Sequence, residues 1–235
     1  MSTPFFYSAD CNLQRKIIVL DENTSRHIVL VLRMKEGATV QLTDGCGVVL
    51  FCKISLVHKK KCEVEILETK RNENKLKKIT IAISLLKNGN RFEWVLEKAT
   101  EIGASEIIPL ICERTEVQKF RYERMKSICI SAMLQSQQCT LPLLREPTPF
   151  NKLVTEDFKN SQKFIAHCTE TEKQRLNQQL ISKSSNQIIL IGPEGDFTKN
   201  EIELAIQNQF LPVSLGETRL RTETAAVVAA TLLCN

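Results

Sequence analysis

The chain has 235 residues, 43% hydrophobic and 25% charged, with a net charge of +5. That is the balance of a globular chain with one large or two small domains. No apolar run approaches the roughly 20 residues a membrane span needs, and Met1-Ser2-Thr3-Pro4 lacks the basic region and apolar core of a secretory signal, so a cytoplasmic location is expected. Nine cysteines, at 11, 46, 52, 62, 112, 129, 139, 168 and 234, are odd in number, and none is spaced C-x-x-C. This argues against a disulfide framework and a zinc ribbon. The cysteines read as reduced, mostly buried small residues, and no metal is expected. Residues 1–78 hold 14 basic and 9 acidic side chains, whereas residues 79–235 hold 18 of each. A basic N-terminal module suggests a polyanionic partner, although solvated surface lysines would give the same excess.

In chain order, Lys16 to Leu20 is a short strand candidate, and Asp21 to Arg33 can form one helix with Ile28, Val31 and Leu32 as a partial apolar face. Thr39 to Thr43 and Val48 to Ser55 flank Asp44-Gly45, a good hairpin signal. Cys62 to Leu67 alternates as a half-buried strand does. Short strands with turn signals suggest a small barrel over residues 1–72. Lys59-Lys60-Lys61 lies between two of its strands and reads mainly as a charged edge that discourages aggregation. The polar stretch around 73–78 reads as a linker.

From residue 79 to 235 strands alternate with helices. Ile79 to Leu86, Ser105 to Ile111, Phe164 to His167 and Ile188 to Ile191 are strands; Arg91 to Ile102, Val117 to Gln137 and Glu170 to Leu180 are helical in period. Gly103 is a natural helix stop. Such alternation argues for an α/β fold with a mostly parallel sheet flanked by helices. The last helix, from Thr222 to Leu233, is small and apolar on all sides and is expected to be buried. Lys87 and Arg91 sit at a helix start, where the macrodipole disfavours cations. They either meet an anionic partner or pair with Glu93, Glu97 or Glu101.

Two stretches carry the chemistry. The first, Ile188-Ile189-Leu190-Ile191-Gly192-Pro193-Glu194-Gly195-Asp196-Phe197-Thr198, is a buried strand, a glycine loop and a helix start capped by Thr198 and Glu201. Strand, glycine loop and helix form the usual ligand geometry of an open α/β sheet. Neither common phosphate cradle occurs in the chain. The second is Ser214-Leu215-Gly216-Glu217-Thr218-Arg219-Leu220-Arg221-Thr222-Glu223-Thr224-Ala225-Ala226.

Together, G-P-E-G-x-F and L-G-x-x-x-L-R-x-E-T-A resemble the RsmE family of the SPOUT class of RNA methyltransferases. The resemblance implies a trefoil-knotted SPOUT domain at 79–235, preceded by a PUA-like RNA-binding β-barrel at 1–72. It implies S-adenosylmethionine as cofactor, N3 of one uridine in 16S rRNA of the small ribosomal subunit as target, and a homodimer. The cofactor loops map to Ala166 through Thr169, Gly192 through Phe197, and Leu215 through Thr224, with His167 in the first. Ile191, Leu215 and Leu220 can wall an adenine, and Gly192, Gly195 and Gly216 can present backbone. Arg219 and Arg221 can hold a phosphate or a uracil anion. Glu194 and Glu223 are the acids inside the motifs; either can be the general base or orient Arg221 or backbone.

Arg26 to Gly37 resembles the family's H-x-x-x-V-L-R segment, which makes Arg26 and Arg33 candidate RNA contacts alongside Lys87 and Arg91. Three departures stand out. No basic residue precedes Arg15, Gln135 to Gln138 lacks an Arg common in relatives, and Asp196 stands where many relatives have a second glycine. The rival readings are a ribose 2′-O-methyltransferase of the same class and a non-catalytic RNA-binding protein of the same fold.

Overall fold

The structure, a computed structural model, describes residues 3–9, 15–72, 77–158, 160–169, 173–180 and 186–234. The chain divides into two compact units, residues 1–74 with 133–141, and residues 75–132 with 142–235.

The first unit holds β1 (Phe5–Tyr7), β2 (Ile17–Val19), α1 (Glu22–Arg26), β3 (Thr39–Thr43), β4 (Val48–Leu56) and β5 (Glu63–Arg71). Its sheet runs β1-β3-β4-β5-β2, parallel between β1 and β3 and antiparallel elsewhere. Phe6, Ile18, Leu42, Leu50 and Val64, one from each strand, meet in a single core with Ile28. A sheet whose strands all contribute to one core must curl around it. The Asp44-Gly45 turn forms as the dipeptide signals. Asp44 Oδ1 accepts the Cys46 N–H at 2.6 Å, and Gly45 takes a left-handed φ of 74°. The stretch 139–141 joins this hairpin through the N–H of Gly47 on the Cys139 carbonyl.

The segment after β2 departs from the predicted helix. Asp21 caps α1 by accepting the N–H groups of Asn23 and Thr24, but the chain widens to a π-helical stretch at His27–Val31. The wider turn leaves Ile28 as the only buried member of the expected face; Val31 is 67% exposed and Leu32 40%. Arg33 then leaves with a left-handed φ of 50°.

The second unit contains β6 (Ile79–Ser84), α2 (Gly89–Ile102), β7 (Glu106–Ile111), α3 (Tyr122–Gln135), β8 (Leu143–Leu144), β9 (Thr148–Pro149), α4 (Phe150–Val154), β10 (Ser161–Ala166), β11 (Gln174–Arg175), α5 (Leu176–Gln179), β12 (Asn186–Ile191), α6 (Lys199–Gln207), β13 (Leu211–Ser214) and α7 (Thr222–Cys234). The sheet order is β11-β13-β10-β12-β6-β7-β8, with β9 also on β7. Every pairing is parallel. Its strands β6 and β12 are buried almost throughout, as a sheet covered by helices requires. Gly103 ends α2 with φ 101° and donates to the Ala99 carbonyl. Because β13, β10 and β12 are neighbours and parallel, the loops that follow them leave the same edge side by side.

Three further expectations need correction. Residues 117–121 are not helical, and α3 begins at Tyr122. The helix expected over 170–180 is instead β11 and the single turn α5, because Gln174 and Arg175 pair with β13; residues 170–172 lie outside the described residues. The last helix, α7, is not buried on every side. Ala226, Ala229, Ala230 and Leu233 are buried, where α7 packs on α2, β6 and β12, whereas Thr224, Val227, Val228 and Leu232 stay partly exposed. Of the expected linker 73–78, residues 73–76 also fall outside the described residues.

Candidate functional site

Two adjoining cavities open where the loops after β10, β12 and β13 meet. One, of about 320 Å³, is lined by His167, Cys168, Lys173, Leu215, Gly216 and Leu220 among others. The second, of about 510 Å³, is lined by Arg91, Ile191, Gly192, Glu194, Arg221 and Glu223 among others. Ala166, Cys168, Arg219, Leu220 and Ala225 line both, so the two volumes form one site. Each lies in the range of small-molecule pockets, roughly 300–1,000 Å³.

The glycine loop after β12 is held from several directions. A Cβ on Gly192 would lie 3.1 Å from the Phe197 ring and 3.2 Å from its backbone nitrogen, so this position needs glycine for packing. Phe197 is buried against Phe150, ring centroids 5.3 Å apart. Asp196 adopts a left-handed φ of 63°, which explains why a glycine suits this position. The aspartate compensates with hydrogen bonds, its carboxylate accepting the N–H of Cys168 and of Phe197, each at 2.8 Å. It thereby ties the loop after β12 to the loop after β10. Thr198 and Glu201 close the expected capping box, and Glu201 also accepts the Glu113 N–H at 2.8 Å. Arg114 donates to the Gly195 carbonyl at 2.6 Å, and the Lys87 N–H donates to Glu194 at 3.2 Å.

The loop between β13 and α7 is looser. Gly216, Glu217, Thr218, Arg219 and Arg221 are exposed, and a Cβ at Gly216 would meet nothing within 4 Å. Ser214 bonds the Gly216 carbonyl at 2.7 Å, and Glu217 pairs with Arg175. Among the described residues, neither the Arg219 nor the Arg221 side chain makes an ion pair or hydrogen bond. Two free cations beside a cavity suit an anionic ligand.

Two buried side chains that line these cavities carry polar atoms without a hydrogen-bond partner among the described residues. Both ring nitrogens of His167 lack a partner, although the residue is only 7% exposed. Burial, then the nearby Lys173 ammonium, push its imidazole below the ordinary range, against a smaller opposing pull from Asp196. The ring is therefore neutral at pH 7, with one donor and one acceptor to offer. Lys173 is itself pinned by the carbonyls of His167 and Thr169, both at 2.7 Å. Glu223, in the first turn of α7, is 9% exposed. Its Oε1 lies 3.6 Å from Arg91 Nη1, and its Oε2 has no partner. Buried polar atoms left unpaired are costly, and a ligand in the cavity would supply the missing partners.

The structure thus gathers His167, Ile191, Gly192, Glu194, Leu215, Gly216, Arg219, Leu220, Arg221 and Glu223 around one space. Gly195 and Thr224 line neither cavity; Gly195 instead takes the Arg114 contact. Arg91 partners Glu223 rather than its helix neighbours, and Lys87 pairs with Glu116 at 2.8 Å. Arg26, 3.9 Å from Glu22, and Arg33 belong to the first unit. Sequence reasoning missed Arg114 and Lys173, which belong to no motif and, among the described residues, hydrogen-bond to backbone carbonyls. Among the described residues, no group of three or more His, Cys, Asp and Glu side chains is placed to hold a metal.

The residues also fit a sulfonium nucleoside. Leu215, Leu220 and Ile191 are apolar walls, the acids Glu194, Asp196 and Glu223 suit a cationic ligand, and the glycines leave room beside backbone.

Comparison with known proteins places this arrangement. A family profile described as an RNA methyltransferase domain matches residues 72–234, and one described as an RNA methyltransferase PUA domain matches residues 20–67. Ribosomal RNA small subunit methyltransferase E of Synechocystis is 37% identical over 85% of this chain and 66% of its own length. The protein of that name from Bacillus subtilis is 31% identical over 86% of this chain and 84% of its own length. The crystal structure of ribosomal RNA small subunit methyltransferase E from Neisseria gonorrhoeae, bound to S-adenosyl methionine, superposes with a TM-score of 0.88 at 29% identity, covering 97% of this chain and 95% of that one. The chain belongs to the ribosomal RNA small subunit methyltransferase E family of RNA methyltransferases.

Proposed function

We propose that this protein is an S-adenosylmethionine-dependent methyltransferase acting on N3 of a uridine in 16S rRNA of the small ribosomal subunit. The observation that carries the reading is one site shared by three adjacent loops, with the buried ring nitrogens of His167 at one end and the buried Oε2 of Glu223 at the other, all without a hydrogen-bond partner among the described residues. His167, Ile191, Gly192, Leu215, Gly216 and Leu220 would hold the cofactor. When bound, the cofactor supplies an electrophilic methyl carbon on a sulfonium. Arg219 and Arg221, exposed and without an ion pair or hydrogen bond among the described residues, hold the RNA phosphate or the developing uracil anion at the mouth. The rest of catalysis is positioning of N3 in line with that carbon.

Arg26 and Arg33 on the first unit, and Lys87 on the second, are assigned to RNA backbone, which positions without reading sequence. The partly exposed face of α7, Val227, Val228 and Leu232, is assigned to a second copy of the chain. The test uses small subunits from cells lacking this protein, incubated with the protein and methyl-labelled S-adenosylmethionine, then digested to nucleosides. Label in N3-methyluridine supports the reading. Label in a 2′-O-methylated nucleoside, or none, overturns it.

A further inference from the structure

The family reading leaves two acids as candidate bases, and the geometry separates them. Glu194 is exposed, and its Oε1 is engaged by the Lys87 N–H. An exposed carboxylate is hydrated and offers no selective acceptor. Glu223 is buried on α7, with Oε1 beside Arg91 and Oε2 without a hydrogen-bond partner among the described residues. The oxygen is within the protein, where an unpaired acceptor is costly, and an N–H from a ligand would complete it.

We infer that Glu223, held in place by Arg91, is the general base that receives the N3 proton of uracil, and that it selects an imide N–H at the target. This rests on the methyltransferase reading above. As Oε2 takes the proton, the N3 lone pair forms the N–CH₃ bond, the methyl–sulfur bond breaks, and the sulfonium becomes a neutral thioether. The proton on Glu223 then passes to solvent. Cytosine presents a lone pair at N3 where uracil has a proton, so it would face the carboxylate lone pairs and be rejected. Arg91 is a positioning residue. It occupies Oε1 and leaves Oε2 as the acceptor, which accounts for a cation in the first turn of α2 against the helix dipole. The other charged or titratable groups lining this cavity are Cys168, Glu194, Asp196, Arg219 and Arg221.

The experiment compares wild type, Glu223→Gln, Arg91→Ala and Arg91→Lys. It measures methyl transfer to unmodified small subunits across pH, cofactor Kd by calorimetry, and melting temperature. The expected result for Glu223→Gln is a kcat lower by about 100-fold or more near neutral pH, with cofactor Kd within about twofold of wild type. Raising the pH ionises the uracil imide in solution and narrows the gap, which a structural defect would not do. Arg91→Ala is expected to lower kcat more than cofactor affinity, and Arg91→Lys to recover most of the loss. It also keeps the proposal testable if Glu223→Gln melts early. Unchanged kcat in Glu223→Gln, a deficit that persists at every pH, or a loss confined to cofactor Kd overturns the inference. The wild-type control separates the two levels: no N3-methyluridine from wild type sinks the parent reading, whereas N3-methyluridine from wild type with an active Glu223→Gln sinks only the role of Glu223.

Discussion

Two loops build most of the cavity, and they are built oppositely. The loop from Gly192 to Phe197 is fixed by a buried aromatic, a carboxylate that bonds two N–H groups, a capping box, and contacts from Lys87 and Arg114. The loop from Ser214 to Arg221 has an open glycine and two exposed arginines that make no ion pair or hydrogen bond among the described residues. The first is set before any ligand arrives. Preorganisation of this kind lowers the ordering cost of binding. The second keeps its freedom, and with it the ability to close over a cofactor and meet RNA.

Substitutions should reveal the contrast, in descending order of effect. Phe197→Ala removes a buried ring from the clamped side and is expected to cost about 3–5 kcal/mol in denaturant unfolding. Gly192→Ala forces a methyl against that ring and the backbone, with an expected cost of about 1–3 kcal/mol and weaker cofactor binding by calorimetry. At Asp196 the left-handed backbone favours glycine over alanine, so Asp196→Gly should be more stable than Asp196→Ala by about 1 kcal/mol, while both lose the bridge to Cys168.

A pH experiment probes the cavity's other wall. His167 is buried neutral, with its folded pKa depressed. Its contribution to stability is therefore complete above the ordinary histidine value, about 6.5, and is lost as pH falls below it, because the unfolded chain takes up the proton first. His167→Gln should flatten that part of the stability curve measured by thermal melting between pH 5 and 7. Gly216→Ala, on the open side, should change stability by no more than about 0.5 kcal/mol. A cost at Gly216 equal to that at Gly192 would remove the distinction.

What could be read in the sequence was local. The capping box at Thr198, the hairpin at Asp44-Gly45 and the stop at Gly103 each depend on residues a few positions apart, and each formed. The strand, loop and helix around Gly192 were visible for the same reason. The π-helical stretch after Arg26 was not, because an apolar run looks alike in an α and a π register. The strands β8 and β9 have two residues each and exist by pairing with β7, so no periodicity marks them. The partner of Arg91 was misread for a related reason. Acids on the same helix look adequate in sequence, while Glu223 arrives from the far end of the chain. The glycine preference at position 196 appeared as a departure from relatives, and only the φ of the folded backbone gave it a cause.

Amide hydrogen exchange with and without S-adenosylmethionine is the most direct test of where the cofactor sits. The account predicts strong new protection over 214–221 and around 167–168, with little change over 192–198, where the loop is already fixed. No change in any of these three segments, or protection arising only in the first unit, would contradict it.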